Sequence, residues 1–305
     1  IPLALVIYNY SGRTTSIIFS LDNLFRVVKD FNLSAKRIFD ITLDKEFPKE
    51  SFGNKHLSKV DGNFEFKDVN FSYGDNKVLD NLSFKIDANS TVAFVGKSGA
   101  GKSTIFSLID KMYDVDGGEI LIDGVNINEL DKDSIRKNIT VINQSPYIFN
   151  LSIKDNLKLV KENLTDEEMT NACKMACLDD FINTLPDKYD TVVGEGGITL
   201  SGGQKQRLAI ARALIQKTEI ILFDEATSAL DNETQKEIQQ AINNMQGEYT
   251  ILIIAHRLST IIDSDRILFL NDGHIEAEGT HEELLENCPN YKHLYETELK
   301  TNTNE

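Results

Sequence analysis

The stretch GKSGAGKST, residues 96–104, combines three glycines, two lysines and hydroxyl side chains between the apolar run TVAFV and the mixed run IFSLIDKMY. It fits the pattern G-x-x-x-x-G-K-[ST], whose fixed positions are Gly96, Gly101, Lys102 and Ser103. Glycines at a strand-to-helix junction let successive backbone N–H groups face one anion, and the following helix adds the positive end of its dipole. The pattern predicts a triphosphate-binding loop, the alternative being a glycine turn that only caps a helix.

The side chains of this phosphate loop, residues 96–104, have separate predicted roles. Lys102 brings a mobile positive charge to the outer phosphates, and the Ser103 hydroxyl is suited to bind a magnesium ion. The residues predicted to contact the nucleotide here are Gly96, Lys97, Ser98, Gly99, Ala100, Gly101, Lys102, Ser103 and Thr104.

Two adjacent acids follow a wholly apolar run in EIILFDEATSALD. Asp224 and Glu225 lie at the carboxyl end of the strand predicted for residues 220–223, which is where parallel α/β sheets bind ligands. Two neighbouring carboxylates repel unless a cation lies beside them, so the pair favours a metal. We expect Asp224 to hold magnesium and Glu225 to reach the attacking water. The alternative is a solvated strand end with two surface acids.

A second candidate anion site lies in LSGGQKQRLAIARAL, residues 200–214. Ser201, Gly202 and Gly203 open a predicted helix and leave N–H groups and a hydroxyl directed outward, although a merely well-capped helix would have the same start. The apolar positions predicted near one helix face are Leu208, Ile210, Ala211 and Leu214. The segment resembles the signature sequence of ATP-binding cassette (ABC) proteins, and the resemblance extends over residues 63–298.

The resemblance implies ATP as the ligand, with Mg²⁺, and adds four positions. Tyr73 matches the aromatic residue that stacks on adenine, although its residue type also fits a core tyrosine. Gln144 matches the glutamine that senses magnesium and water, and His256 the histidine that contacts the γ-phosphate and orders the catalytic water. Asp231 ends residues 228–231, which match the loop that crosses to a partner subunit. The implied metal ligands are Ser103, Gln144 and Asp224.

In this family one chain's phosphate loop and another chain's signature segment clamp the same ATP. The resemblance therefore implies a second cassette as partner, either identical or different, which closes on the γ-phosphate and reopens after hydrolysis. The implied contacts from the signature segment are Ser201, Gly202, Gly203 and Gln204. The implied catalytic residues are Lys102, Glu225 and His256.

Three segments resemble the exporter branch of the family. DTVVGEGGITLSGGQ resembles the exporter segment before the signature, except that Val192 replaces an acidic residue and leaves contact through that side chain in doubt. QSPYIFNLSIKDNL resembles the exporter glutamine loop, with Tyr147 and Phe149 as apolar contacts for a membrane domain. SAKRIFDIT ends a segment that resembles the helix entering an exporter cassette. These likenesses imply an ATPase at the cytoplasmic face of a cell membrane that drives export of a small molecule, lipid or peptide.

The expected fold is an α/β P-loop NTPase cassette with a mixed central sheet, an antiparallel β subdomain and a helical subdomain, preceded by an N-terminal helical segment. Apolar residues from Leu21 to Ile38 recur every three or four positions, which indicates either a helix packed on its own domain or an extended helix that arrives from an upstream domain. The chain begins at Ile1, as expected of a piece of a longer protein. We divide it into residues 1–43, a remnant of a membrane domain or connecting helix; 44–62, a linker; 63–298, the cassette; and 299–305, a disordered tail.

Composition excludes several other classes. The net charge of −16, from 48 acidic and 32 basic residues, disfavours nucleic acid as a partner. Three cysteines are too few and wrongly spaced for a disulfide framework or a four-ligand zinc site. Two rival functions stay open: a soluble DNA-maintenance clamp, which would need long coiled coils that this chain lacks, and a noncatalytic regulatory cassette.

Overall fold

The computed structural model describes residues 2–42, 50–224, 232–254 and 261–302, and the chain divides into two compact units, Ile1–Ser51 and Phe52–Glu305. The first unit contains one helix, α1 (Pro2–Thr42), which includes the amphipathic segment that the sequence predicts. Its large apolar side chains, such as Phe25 and Phe31, are exposed. Within the described residues, no helix combines the length and apolarity that a membrane span requires.

The second unit alternates strands and helices. Its strands are β1 (Phe64–Tyr73), β2 (Asn76–Ile86), β3 (Thr91–Gly96), β4 (Gly117–Ile122), β5 (Val125–Asn126), β6 (Ile139–Ile142), β7 (Leu151–Ser152), β8 (Val192–Val193), β9 (Ile220–Asp224), β10 (Thr250–Ile254), β11 (Arg266–Asn271) and β12 (His274–Gly279). Its helices are α2 (Lys102–Ile109), α3 (Lys132–Arg136), α4 (Ile153–Lys158), α5 (Asp166–Met175), α6 (Asp179–Thr184), α7 (Gly202–Gln216), α8 (Asn232–Met245), α9 (His281–Asn287) and α10 (Pro289–Asn302).

The central sheet has the order β12-β11-β3-β10-β9-β6 among the described strands. The strands from β11 to β6 are parallel, and β12 closes the edge as an antiparallel hairpin partner of β11. Alternate residues of these strands contribute to two different apolar clusters, one on each face of the sheet. Burial on both faces explains why TVAFV and EIILF are continuous apolar runs rather than alternating ones.

One face of the central sheet packs against helices, and the other packs against α2 and a second sheet. The helical side includes Leu208, Ile210, Ala211 and Leu214 of α7, all buried as the sequence predicts. The second sheet is antiparallel, with the order β2-β1-β4-β5 in the described part of the chain. The Asp-Gly pairs at residues 123–124 and 272–273 are typical of tight hairpins, and at these places β4 pairs with β5 and β11 with β12.

A capping box lies at the start of helix α5 in the helical subdomain. The Thr165 hydroxyl accepts the Glu168 N–H and the Glu168 carboxylate accepts the Thr165 N–H, which forms a capping box at the start of α5. Cys173 of α5 is fully buried among the residues that pack on α7, and burial raises the pKa of its thiol to about 12. A thiol with so high a pKa stays protonated and acts as a small apolar group.

The structure differs from the predicted linker, residues 44–62, in the second half of that segment. Residues 52–61 belong to the second unit rather than to a spacer. The Gly53 N–H donates to the Leu130 carbonyl at 2.8 Å, and Val60 is only 2% exposed within the core. At the other end of the chain, α10 continues to Asn302, so helix extends into residues 299–302 where we expect a tail.

Candidate nucleotide-binding site

The phosphate loop leaves β3 at the edge where the parallel strands end, and it leads directly into α2. Gly101 immediately precedes α2 with φ of 99°, a left-handed conformation that L-residues rarely adopt. A Cβ on Gly96 would lie 2.2 Å from the Leu270 carbonyl oxygen, so the neighbouring strand also excludes a side chain there. The glycines therefore permit a turn that larger residues cannot make.

Lys102 is 5% exposed although it carries a full charge. Its Nζ donates to the Gly96 carbonyl at 2.7 Å and to the Lys97 carbonyl at 2.9 Å, so the ammonium lies against the backbone of its own loop. A buried cation in a cradle of backbone groups, beside the N-terminus of α2, is suited to bind an anion. The arrangement fits the polyphosphate that the sequence predicts.

A cavity of about 270 Å³ adjoins the phosphate loop. Its lining residues are Tyr73, Asn76, Val78, Ser98, Gly99, Gly101, Lys102, Ser103 and Thr104. Tyr73 is 43% exposed at the end of β1, so it is not the core tyrosine that the sequence left as an alternative. The cavity therefore has an aromatic ring on one side and the phosphate loop on the other.

Two other residues whose side-chain oxygens could bind a metal ion lie at the ends of neighbouring strands. Asp224 is the half-buried last residue of β9, and Gln144 follows the adjacent β6 by two residues. Since the carboxyl ends of parallel strands meet at one edge of a sheet, both lie at the same edge as the phosphate loop. The carboxylate, amide and hydroxyl oxygens of Asp224, Gln144 and Ser103 are the donor types that Mg²⁺ prefers.

Three predicted site residues, Glu225, Asp231 and His256, lie outside the described residues. Glu225 follows Asp224 directly in the chain, and His256 comes two residues after β10. Their roles stay predictions.

The start of α7 has a second capping box. The Ser201 hydroxyl accepts the Gln204 N–H at 3.2 Å, and the Gln204 side chain accepts the Ser201 N–H at 2.9 Å. Ser201 and Gly202 are exposed, whereas Gly203 is buried against Thr234 of α8. Residues 201–204 do not line the cavity at the phosphate loop, so this chain holds the two predicted anion sites apart.

Sequence reasoning missed several residues that support the site. Asn76 lines the cavity because it pairs with Tyr73 across the β1–β2 hairpin, and the turn-forming cluster GDN at residues 74–76 is the sequence signal that could have indicated it. Tyr113 packs edge-to-face with Tyr73, with ring centroids 5.3 Å apart. Gln206 of α7 donates to the Gln144 carbonyl at 3.1 Å. The Tyr73–Tyr113 and Gln144–Gln206 contacts join residues that lie far apart in the sequence and belong to no shared motif. Composition and spacing therefore gave no indication of them.

Comparisons with known proteins agree with these features. Residues 79–228 match the family model described as ABC transporter. The chain is 38% identical over 294 residues to the ATP-dependent lipid A-core flippase of Francisella tularensis subsp. tularensis (strain FSC 198), covering 96% of this chain and 48% of that protein. It is 45% identical over 236 residues to the Beta-(1-->2)glucan export ATP-binding/permease protein NdvA of Rhizobium johnstonii (strain DSM 114642 / LMG 32736 / 3841), covering 77% and 40% respectively.

A solved structure is also similar. The structure of a bacterial Atm1-family ABC exporter with ATP bound matches with a TM-score of 0.78 and 38% sequence identity, over 90% of this chain and 48% of that chain. The chain thus spans about half the length of the curated relatives and of the solved structure that it matches.

Proposed function

The chain belongs to the ABC transporter family and has the ABC cassette fold, and from this premise we propose that it hydrolyses ATP with Mg²⁺ to drive export across a membrane. The observation that carries the proposal is the buried Lys102 ammonium, held over the glycine turn that opens α2. Relatives named as a flippase and as an export permease support the direction of transport.

Nucleotide binding would use the groups already described. Backbone N–H groups of the phosphate loop and the Lys102 ammonium bind the phosphates, and Lys102 exchanges its two carbonyl partners for phosphate oxygens. Tyr73 stacks on the base. Ser103, Asp224 and Gln144 would hold a magnesium ion, which would neutralise charge on the phosphates.

The proposed roles of Glu225, His256 and Asp231 in hydrolysis rest on their positions in the sequence. Glu225 orients the attacking water, and His256 contacts the γ-phosphate and orders the same water. Lys102 stabilises charge on the transferring phosphoryl group. Asp231 would contribute from the loop of residues 228–231 that reaches a partner cassette.

The proposed partner is a second cassette, identical or different. Support comes from the exposed start of α7, where the Ser201 hydroxyl can donate outward while its oxygen caps the helix. Residues 201–204 do not line the cavity that adjoins Lys102 in this chain. A head-to-tail pair would bring one chain's Ser201 to the ATP on the other chain's phosphate loop.

A membrane domain is the second proposed partner, which would place the cassette at the cytoplasmic face of a cell membrane. Tyr147 is 73% exposed and Phe149 is 44% exposed, beside a groove of about 430 Å³. The groove is lined by Ser145, Pro146, Tyr147, Ile148, Asn150, Gly194, Glu195, Thr199, Leu200 and Lys205. An apolar rim around a concave surface is suited to dock a helix of another domain. The cargo is a small molecule, lipid or peptide.

Three variants test the nucleotide chemistry. Lys102→Ala is expected to lose ATP affinity, because it removes the buried ammonium held against the Gly96 and Lys97 carbonyls, whereas the other lysine of the loop, Lys97, is exposed. Glu225→Gln is expected to retain ATP and to accumulate as a dimer, measured by size with ATP and magnesium. Lys85→Ala, which removes an exposed lysine on β2, is the matched control and should bind ATP as the parent does.

The outcomes separate the competing functions. Phosphate release by the parent and its loss in Glu225→Gln would support hydrolysis. Binding and association without phosphate release by the parent would instead favour a noncatalytic regulatory cassette. A Glu225→Gln chain that stays monomeric at high concentration, also when joined to its membrane domain, would contradict the shared site.

A further inference from the structure

The segment that carries the exposed aromatic pair is held by side chains from two helices. We call residues 144–149 the docking loop. From α7, Gln206 donates to the Gln144 carbonyl at 3.1 Å and Arg212 donates to the Tyr147 carbonyl at 2.8 Å. From α4, Asn156 contacts the opposite end of the loop at Phe149. The docking loop is therefore tied to α7 at Gln144 and Tyr147 and to α4 at Phe149.

Asn156 is fully buried and binds the backbone on both sides of the turn. Its Nδ2 donates to the carbonyls of Phe149 at 3.0 Å, Leu151 at 3.3 Å and Ser152 at 3.0 Å. Its Oδ1 accepts the Phe149 N–H at 3.1 Å. A single buried amide thus joins backbone groups of residues 149, 151 and 152.

Arg212 completes the arrangement from α7. Its Nε donates to the Asn156 carbonyl at 3.0 Å, one Nη donates to the Tyr147 carbonyl, and the other Nη donates to the Asn156 Oδ1. The guanidinium also lies 5.9 Å from the centroid of the Phe149 ring. Arg212 uses three separate nitrogens for these acceptors, whereas lysine carries its donors on a single nitrogen, so lysine is not an equivalent residue here.

These contacts fix a backbone whose side chains stay exposed. The rings of Tyr147 and Phe149 pack edge-to-face, with centroids 4.9 Å apart, and Tyr147 lines the groove. The far wall of the groove is tied to the same segment, because Asn150 accepts the Gly196 N–H at 3.1 Å and β7 pairs with β8. The shape of the groove therefore depends on where the docking loop lies.

We infer that Arg212 and Asn156 form a polar clamp that positions the docking loop on α7, so that a displacement of the signature segment at the start of α7 moves Tyr147 and Phe149 with it. The clamp itself follows from the contacts described above. Its use in transport rests on the proposed function. Both residues act through the loop and are positioning residues.

The chain contains no tryptophan, so Tyr147→Trp creates a single fluorescent reporter on the docking loop. The Arg212 contact to residue 147 uses the backbone carbonyl and is kept in this variant. In the reporter chain, Arg212→Gln and Asn156→Ala should lower the fluorescence anisotropy, because the loop is released. Acrylamide quenching should also rise, but by a smaller factor, because the side chain at position 147 is already 73% exposed. Arg212→Lys should give an intermediate value.

Gln216→Ala is the matched control, since Gln216 ends the same helix but donates to the carbonyls of Arg136 and Lys137. It should leave the reporter unchanged. Circular dichroism and ATP affinity, which should match the parent, identify chains that have folded. If Asn156→Ala does not fold, hydrogen exchange at the Phe149 amide in Arg212→Lys and Arg212→Gln provides the same test. Unchanged quenching and exchange in folded Arg212→Gln, or equal loosening by Gln216→Ala, would overturn the clamp.

Coupling is tested in the Glu225→Gln reporter chain with ATP and magnesium. Dimer formation should change the anisotropy of Trp at position 147, and Arg212→Gln should remove that change while the dimer still forms. A change that persists in Arg212→Gln would overturn the coupling. Failure of Glu225→Gln to dimerise would count against the proposed function, and the quenching results would still decide the clamp.

Discussion

Replacing Gly203 by alanine tests how closely the start of α7 packs on α8. A Cβ at Gly203 would lie 1.8 Å from Thr234 Cγ2 and 3.3 Å from Thr234 Cβ. Nonbonded carbon atoms stay about 3.5–4.0 Å apart, so either the two helices separate or the threonine side chain turns. Threonine is branched at Cβ and has few rotamers available in a helix, which makes the second response costly.

The expected loss of stability follows from two opposing terms. Inserting a methyl group into a packed contact costs about 1–3 kcal/mol. Gly203 lies within α7, and alanine is favoured over glycine in a helix by about 0.8–1 kcal/mol, which offsets part of that cost. The net free energy of unfolding should fall by about 1 kcal/mol. For a unit of this size, the melting temperature should then drop by about 2–4 °C.

A double-mutant cycle with Thr234→Ser provides the measurement. Serine keeps the hydroxyl but lacks Cγ2, so Gly203→Ala should cost little in the Thr234→Ser background. Urea unfolding of the parent, both single variants and the double variant gives the coupling energy, expected at about 1 kcal/mol. The inferred close contact between α7 and α8 would be refuted if Gly203→Ala were as stable as the parent. It would also be refuted if Gly203→Ala lowered the free energy of unfolding equally in the Thr234→Ser background.

Two further predictions concern the entry of the chain into the second unit and the base-binding side of the cavity. Asp123→Ala should lower the free energy of unfolding by about 2–3 kcal/mol, because its carboxylate accepts N–H groups of residues 61–63. Partial burial raises the pKa of Asp123, whereas the hydrogen bonds from residues 61–63 lower it. The hydrogen bonds together outweigh the burial, so the pKa of Asp123 lies below its ordinary value. Its stabilisation is thus present above the unfolded pKa of about 4 and lost as pH falls through the folded pKa, so urea unfolding should show the parent and variant converging in acid. Tyr113→Ala should weaken ATP binding about 2–10-fold without changing inorganic triphosphate binding in calorimetry, because Tyr113 supports the Tyr73 ring; Tyr113→Phe should match the parent.

The fold was predictable from the sequence where a short stretch of residues is enough to determine a turn, loop or strand. The phosphate loop needs glycines in left-handed conformations, and the Asp-Gly pairs at residues 123–124 and 272–273 favour tight hairpins, so these elements can be read from short windows. Continuous apolar runs indicated strands buried on both faces, as the two clusters on the central sheet confirm.

The rest depends on contacts between distant segments. Residues 52–61 have the polar composition of a linker, and their place in the second unit depends on Gly53 meeting Leu130 and on Val60 entering the core. The Arg212 contacts to Tyr147 and Asn156 likewise join side chains to backbone groups far away in the chain. Such contacts require the register of the whole fold, which hydrophobic periodicity alone does not specify.

Helix α7 connects the two surfaces on which the proposed mechanism depends. Its 15 residues span about 22 Å, with exposed Ser201 just before one end and Arg212 near the other. Between them, Leu208, Ala211 and neighbouring apolar residues are buried in the core, which opposes bending of the helix. If α7 moves as one body, the proposed contact between Ser201 and a partner's ATP would displace the docking loop through the α7 contacts to residues 144 and 147. Coupling therefore requires no flexible relay between nucleotide and groove, only the clamp that keeps the loop on the helix.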